Sequence, residues 1–206
     1  MKKIYGPMRK ALIYYAKLKP QVYYFKLMNG NIVGCPPLCM TQSMFYMASR
    51  NLVSFQHQAN KVDFLITRPE MDRLVSGYNK KIVAGRSSIM KRLLLATTGL
   101  NVYNSFEEML EILIIRRDEN AYIDKHFLPI FVLTREIEIE SKIDMSLSLD
   151  LKLLESLVGS KLAKYKSTKL ITKDHQVFNT MDVNDNIESL LIKYLERDKW
   201  SYYEAC

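Results

Sequence analysis

The chain has 206 residues, of which 48% are hydrophobic and 25% are charged, and its formal net charge is +8. With only seven Gly and six Pro, this composition is typical of a globular protein and excludes disordered and fibrous chains. No apolar run approaches the roughly 18 residues that cross a bilayer, so we predict no transmembrane segment.

The cysteine content points to a reducing compartment. The three cysteines, Cys35, Cys39 and Cys206, cannot all pair within one chain, and domains built on disulfides are usually much richer in cysteine. The basic N-terminus also lacks the uninterrupted apolar stretch of a signal peptide. We therefore expect an intracellular protein, cytoplasmic or nuclear.

Basic residues are concentrated in the first half of the chain. Residues 1–100 hold 16 Lys or Arg and three acids, a net charge of +13, whereas residues 101–206 hold 14 bases and 19 acids, a net charge of −5. If the N-terminal charges share one face, that surface attracts a polyanion such as nucleic acid or an anionic lipid leaflet. Scattered charges would instead serve solubility or meet an acidic protein partner.

A helix and a hairpin are the first predicted elements. Pro7 can open a basic amphipathic helix over Met8–Lys19, a pattern shared by helices that pack on their own core and by helices that bind membranes or phosphates. The β-rich stretch Val22–Met28 then leads into Asn29–Gly30, which is the strongest short-range hairpin signal in the chain.

Two helices separated by a strand are predicted next. Thr41 can cap a helix that carries a methionine stripe, and Val62–Ile66 resembles a short buried strand. Thr67 and the acid three residues later predict a helix over Glu70–Ser76. A turn-rich connection is predicted for Gly77–Gly85.

The middle of the chain carries two more helix starts. A helix that begins after Ser87 or Ser88 is predicted first, followed by a brief strand at Leu100–Tyr103. Ser105 and Glu108 then form a capping box for the next helix.

The hydrophobic period changes in the last third of the chain. From Leu128 to Glu140 apolar and polar residues alternate, which predicts a strand with one solvent-exposed face. We then predict a helix over Ser148–Lys164, a strand at Lys169–Thr172 and a helix that begins at Asp185.

Together these elements predict an α+β fold, with several helices packed on short, mostly antiparallel strands. The chain contains no fixed-period repeat and no low-complexity segment. We predict a single globular domain over residues 1–206, with a seam near residues 118–122 between the basic and the acidic half.

Eleven basic residues are the candidate polyanion-binding positions, because lysine and arginine side chains neutralise phosphates and release counterions. The segment Gly85–Ser88 is a candidate phosphate site for a second reason. It stands at a predicted helix start, where free backbone N–H groups attract an anion. The eleven residues are Lys2, Lys3, Arg9, Lys10, Lys17, Lys19, Lys80, Lys81, Arg86, Lys91 and Arg92.

A metal site built on cysteine is not predicted. Cys35 and Cys39 have a spacing that could hold a metal, and His57 could be a third ligand. Structural zinc, however, normally takes four ligands with a second close pair, which the sequence lacks. Two small thiols in a proline-bounded turn are the simpler interpretation, and we predict no metal and no cofactor.

Three function classes remain open. The first is a non-enzymatic binding or assembly protein that engages nucleic acid or an anionic membrane, as small basic viral matrix- or nucleoprotein-associated proteins do. The second is a Mg²⁺-dependent nuclease built on Asp124, Glu140 and Lys142, with carboxylates for the metal and a lysine for the attacking water. The third is a protein–protein interaction module. No catalytic motif recommends an enzyme, and homo-oligomerisation is compatible with each class.

Overall fold

The structure, a computed structural model, describes residues 11, 14, 21–84, 92, 95–159, 184–201 and 203. Contacts divide the chain into two compact units. The helical unit comprises Met1–Pro20, Leu74–Pro129 and Met181–Cys206, and the sheet unit comprises Gln21–Arg73 and Ile130–Thr180. Residues 118–122 lie inside the helical unit, and the number of independently folding domains stays a prediction.

The sheet begins with the predicted hairpin. Strands β1 (Tyr23–Leu27) and β2 (Ile32–Cys35) pair antiparallel. The backbone N–H of Leu27 donates to the carbonyl of Asn31 at 2.8 Å, and Gly30 has a φ of +94°, which a residue with a Cβ rarely adopts. The Asn-Gly turn therefore fixes the register, as its sequence predicts.

Three more strands complete a five-stranded sheet: β3 (Val53–Gln56), β4 (Lys61–Thr67) and β5 (Glu138–Asp144), in the order β3-β1-β2-β4-β5. The β1–β2 and β1–β3 pairs are antiparallel, whereas the β2–β4 and β4–β5 pairs are parallel. The α+β class is confirmed, and the prediction of mostly antiparallel strands holds for half of these pairings.

Three helices of the sheet unit are α1 (Thr41–Ser49), α4 (Ile130–Leu133) and α5 (Ser148–Val158). Side chains from α1 and α5 bury one face of the sheet, with Met44, Met47 and Leu154 fully inaccessible to solvent. The methionine stripe of α1 is thus part of the core.

Some expected caps and strands differ from the structure. Thr41 does not cap α1, since its hydroxyl donates to the carbonyl of Pro36 and the N-cap position is Met40. The strand expected over Leu128–Glu140 is wrong at α4, because the Ile130 N–H donates to the Glu70 carboxylate at 2.6 Å and not to a neighbouring strand. Its last residues, from Glu138, do form a strand as the start of β5.

The connection expected at Gly77–Gly85 is also helical. Helix α2 (Glu70–Tyr78) continues directly into a π-helix (Asn79–Val83). Buried Asn79 and Ile82 anchor this turn in the helical unit. Inward packing at these two positions therefore overrides the local turn signal of Gly77.

The remaining helices of the helical unit are α3 (Phe106–Asp118), α6 (Asp185–Leu195) and a 3₁₀-helix (Arg197–Trp200). Both bonds of the predicted capping box at the start of α3 are present. The strand expected at Leu100–Tyr103 is absent, because the side chains of Asn101 and Asn104 hold these backbone N–H groups in a turn.

Several predicted elements lie outside the described residues. These are most of the helix Met8–Lys19, of which only Ala11 and Tyr14 are described and helical, the start of the helix at Ser87 or Ser88, and the strand Lys169–Thr172. The helix predicted over Ser148–Lys164 ends earlier, at Val158, because Gly159 adopts a φ of +69° at its C-cap. Among the described helices, none is both long and apolar enough to span a membrane.

Candidate functional site

The π-helix presents two consecutive lysines. Lys80 is exposed, whereas the Lys81 side chain is 26% exposed. A π-helical turn is rare and is frequently found at functional sites, because its wider backbone displaces side chains from ordinary helical positions. An uncommon backbone conformation therefore positions these two lysines.

A loop of the same unit brings a second group of polar side chains to the lysines. The Lys81 ammonium lies 3.3 Å from Oδ2 of Asp124. The other oxygen, Oδ1, accepts the backbone N–H of His126 at 2.9 Å and lies 2.5 Å from the ring nitrogen Nδ1. Lys125 lies between these two residues. Lys80, Lys81, Lys125 and His126, with the anchoring Asp124, are hereafter the basic cluster.

Packing of the loop fixes the basic cluster in place. The carbonyl of Phe127 accepts the Tyr194 hydroxyl at 2.7 Å, and the Ile123 N–H donates to the Tyr203 hydroxyl at 3.0 Å. Gly77 lies so close to the loop that an added Cβ would be 3.1 Å from the Phe127 ring. Helix α2 therefore approaches the loop closely because position 77 has no side chain.

Electrostatic coupling links Asp124 and His126 of the basic cluster to its two π-helical lysines. Burial lowers the pKa of His126, and the charges of Lys81 and Lys80 lower it further, against the opposing effect of Asp124. Burial alone would raise the pKa of Asp124, but its bonds with His126 and the charge of Lys81 hold that pKa well below its usual range. Both lysines thus create a positive potential at the imidazole. An anion bound beside them would offset this potential.

Next to these lysines, Asn79 is an unusual buried residue. It is 5% exposed, and among the residues that the structure describes neither its side-chain oxygen nor its side-chain nitrogen has a hydrogen-bond partner. A buried polar group without partners costs roughly 1–3 kcal/mol. The π-helix therefore retains a locally unfavourable residue, as functional positions often do.

Of the eleven predicted polyanion-binding residues, the structure describes Lys80, Lys81 and Arg92. Arg92 is exposed and helical. The other eight lie outside the described residues, as does the predicted phosphate site at Gly85–Ser88. They are Lys2, Lys3, Arg9, Lys10, Lys17, Lys19, Arg86 and Lys91.

The residues of the nuclease alternative have other partners. Asp124 belongs to the helical unit and is bound by His126 and Lys81, whereas Glu140 and Lys142 belong to β5 of the sheet unit. Glu140 makes a 2.6 Å ion pair with Lys61. Within the described part of the chain, no group of three or more His, Cys, Asp or Glu side chains is arranged to hold a metal ion.

The two described cysteines are core residues. Cys35 and Cys39 are fully buried thiols with no disulfide, and burial raises the pKa of Cys39 to about 12. His57 is exposed and packs edge-to-face against the Phe55 ring. A thiolate, the form that binds metals, is therefore disfavoured at Cys39.

Comparison with known proteins gives no relative: no protein-family model, curated protein or solved structure matches the chain. Its function is therefore inferred from the basic cluster and the charge distribution.

Stability is expected to fall as the pH is lowered from 7 to 5. Because the pKa of His126 in the folded protein lies below its ordinary value of 6.5, the unfolded chain binds the proton more readily, and the free energy of unfolding rises with pH in this range. Thermal denaturation at pH 5, 6 and 7 measures the effect. In His126→Gln this pH dependence should be weaker, and an unchanged dependence would show that His126 does not contribute.

Proposed function

We propose that the protein is a non-enzymatic nucleic-acid-binding protein that contacts the phosphate backbone through the basic cluster. The observation that carries the proposal is the π-helical turn, which holds two consecutive lysines beside the loop of Asp124 and His126. Phosphate contacts by lysine are the principal source of affinity for nucleic acid without sequence preference.

The charge distribution supports this proposal. Residues 1–100 have a net charge of +13, so a polyanion is attracted to this half of the chain over a distance set by salt screening. The ion pair with Asp124 restricts the motion of the Lys81 side chain. A lysine already held in position loses less conformational entropy when it binds phosphate.

The pattern of exposed and buried side chains in the π-helix favours nucleic acid over a lipid surface as the partner. Helices that lie on membranes insert apolar side chains beside their basic residues. Here Ile82 is fully buried within the protein, whereas Lys80 of the same π-helix is exposed. The turn therefore offers charge to a partner but little apolar surface for insertion.

Reversal of one exposed charge tests the proposal. We expect Lys80→Glu to weaken binding to single-stranded RNA about tenfold or more at 50 mM salt, because a phosphate contact is lost and a repulsive charge is gained. The slope of log affinity against log salt concentration should become shallower by about 0.7, the value for one phosphate contact on a single strand. Fluorescence anisotropy of a labelled oligonucleotide gives both quantities.

Lys152→Glu is the matched control, since Lys152 is exposed on α5 in the acidic half of the chain and the substitution changes the net charge equally. Equal losses in the two variants would mean that only net charge matters and would contradict a site at the basic cluster.

An intracellular location, cytoplasmic or nuclear, accompanies the proposal and is supported by the reduced thiols of Cys35 and Cys39.

A further inference from the structure

A row of aromatic rings lies in the sheet unit, where α1 packs on β1 and β3. The Phe45 ring lies 5.4 Å from the ring of Tyr23 and 5.4 Å from that of Phe55, measured between centroids. His57 extends the row, with its ring 5.3 Å from Phe55. These four residues are hereafter the aromatic row.

The aromatic row reaches solvent at two of its members, whereas Tyr23 and Phe55 are half-buried. Phe45 is 40% exposed and His57 is exposed, whereas Phe25, which contacts both Phe45 and Phe55, is completely buried. Phe25 therefore fills the interior beneath the row. Neighbouring aromatic rings that remain at the surface are typical of binding sites.

The charge around the aromatic row indicates the class of partner. The first 62 residues of the chain contain no acid, and α1 ends beside Arg50, whose guanidinium lies 5.4 Å from the Tyr46 ring centroid and donates to the Tyr46 hydroxyl. The acidic residues of β5 lie at the opposite edge of the sheet from β3. A partner at this surface meets exposed aromatic rings in a segment of the chain that carries bases and no acid.

Unpaired bases joined by phosphates have both complementary properties. We propose that the aromatic row stacks the bases of single-stranded nucleic acid, an inference that rests on the proposed function and adds to it a preference for unpaired strands. Stacking on aromatic side chains tolerates any base, because every base has a π-face. A base-paired duplex hides these faces, so it gains nothing from the aromatic row.

Substitution of Phe45 tests this inference. We expect Phe45→Leu, which retains an apolar side chain against Phe25, to weaken binding to a 12-nucleotide oligouridine about tenfold, within the range known for loss of one stacked base. The salt slope should not change, because no phosphate contact is lost. The variant should bind an abasic phosphodiester chain of equal length as the wild type does.

Tyr103→Leu is the matched control, because Tyr103 is 78% exposed and lies in the helical unit. Thermal denaturation shows whether each variant is folded. If Phe45→Leu is unfolded, Phe55→Leu is tested in its place. Equal affinity of the wild-type protein for oligouridine and the abasic chain would overturn the stacking inference and leave the proposed function intact. Failure to bind either chain would overturn both.

Discussion

Glu70→Ala is expected to lower the free energy of unfolding by about 3–5 kcal/mol, the range found when one partner of a buried ion pair is removed. Oε2 of Glu70 accepts bonds from Nε and Nη2 of Arg73, both at 2.8 Å, and the Arg73 side chain is completely buried. The other carboxylate oxygen accepts the Ile130 N–H. Truncation of Glu70 therefore leaves a buried guanidinium without its carboxylate and a backbone donor without its acceptor.

Urea denaturation of the double variant Glu70→Leu/Arg73→Met provides the control. Replacement of both charges by apolar side chains removes the uncompensated charge, so the double variant should be more stable than Glu70→Ala. If Glu70→Ala lost less than about 1 kcal/mol, the pair would have to be solvated in the native protein.

Arg117→Met is expected to cost about 3 kcal/mol, because this substitution removes several bonds from a residue that is 3% exposed. Nη1 of Arg117 donates to the carbonyls of Lys193 and Tyr194, and Nε donates to Asp118. These contacts hold the C-terminal end of α6 against α3. The Trp200 Nε1 also donates to the Tyr194 carbonyl, at 2.7 Å, so that acceptor retains one partner in the variant.

Lys193→Ala is the control for Arg117→Met, since the Lys193 side chain is exposed in the same turn and its loss should change stability by less than about 0.5 kcal/mol. Urea denaturation of both variants measures the difference. Similar losses in the two variants would contradict the role of Arg117 as the residue that joins α3 to α6.

Elements with strong local signals were predictable from the sequence. The Asn-Gly turn at Gly30 and the capping box of Ser105 satisfy backbone groups with neighbouring residues, so their sequence signatures are sufficient. The helix from Asp185 likewise has a local cap, since the Asn184 side chain accepts the Ile187 N–H.

Elements that depend on distant contacts were not predictable. The start of α4 depends on the Glu70 carboxylate, 60 residues earlier in the chain. The parallel pairing of β4 with β5 joins segments that are even further apart, with Lys61 opposite Glu138. Strand β3 was missed because its four residues are too few for a clear alternation. The π-helix has no sequence signature comparable to a cap or a turn.

The candidate site was predictable in part. Charge counting identifies Lys80 and Lys81, but the bond between Lys81 and Asp124 joins residues 43 positions apart. From the sequence, Asp124 was assigned only to the nuclease alternative. The aromatic row was missed because Tyr23, Phe45 and Phe55 come from three elements that meet only in the folded sheet.

The measurement that tests the central claim most directly is a binding titration of the wild-type protein against single-stranded RNA and against anionic liposomes, each at about 50 and 200 mM salt. Nucleic-acid binding through the basic cluster predicts affinity for RNA that falls steeply between these salt concentrations and exceeds the affinity for liposomes. Absence of RNA binding at the lower salt concentration, or salt-sensitive binding to liposomes alone, would contradict it.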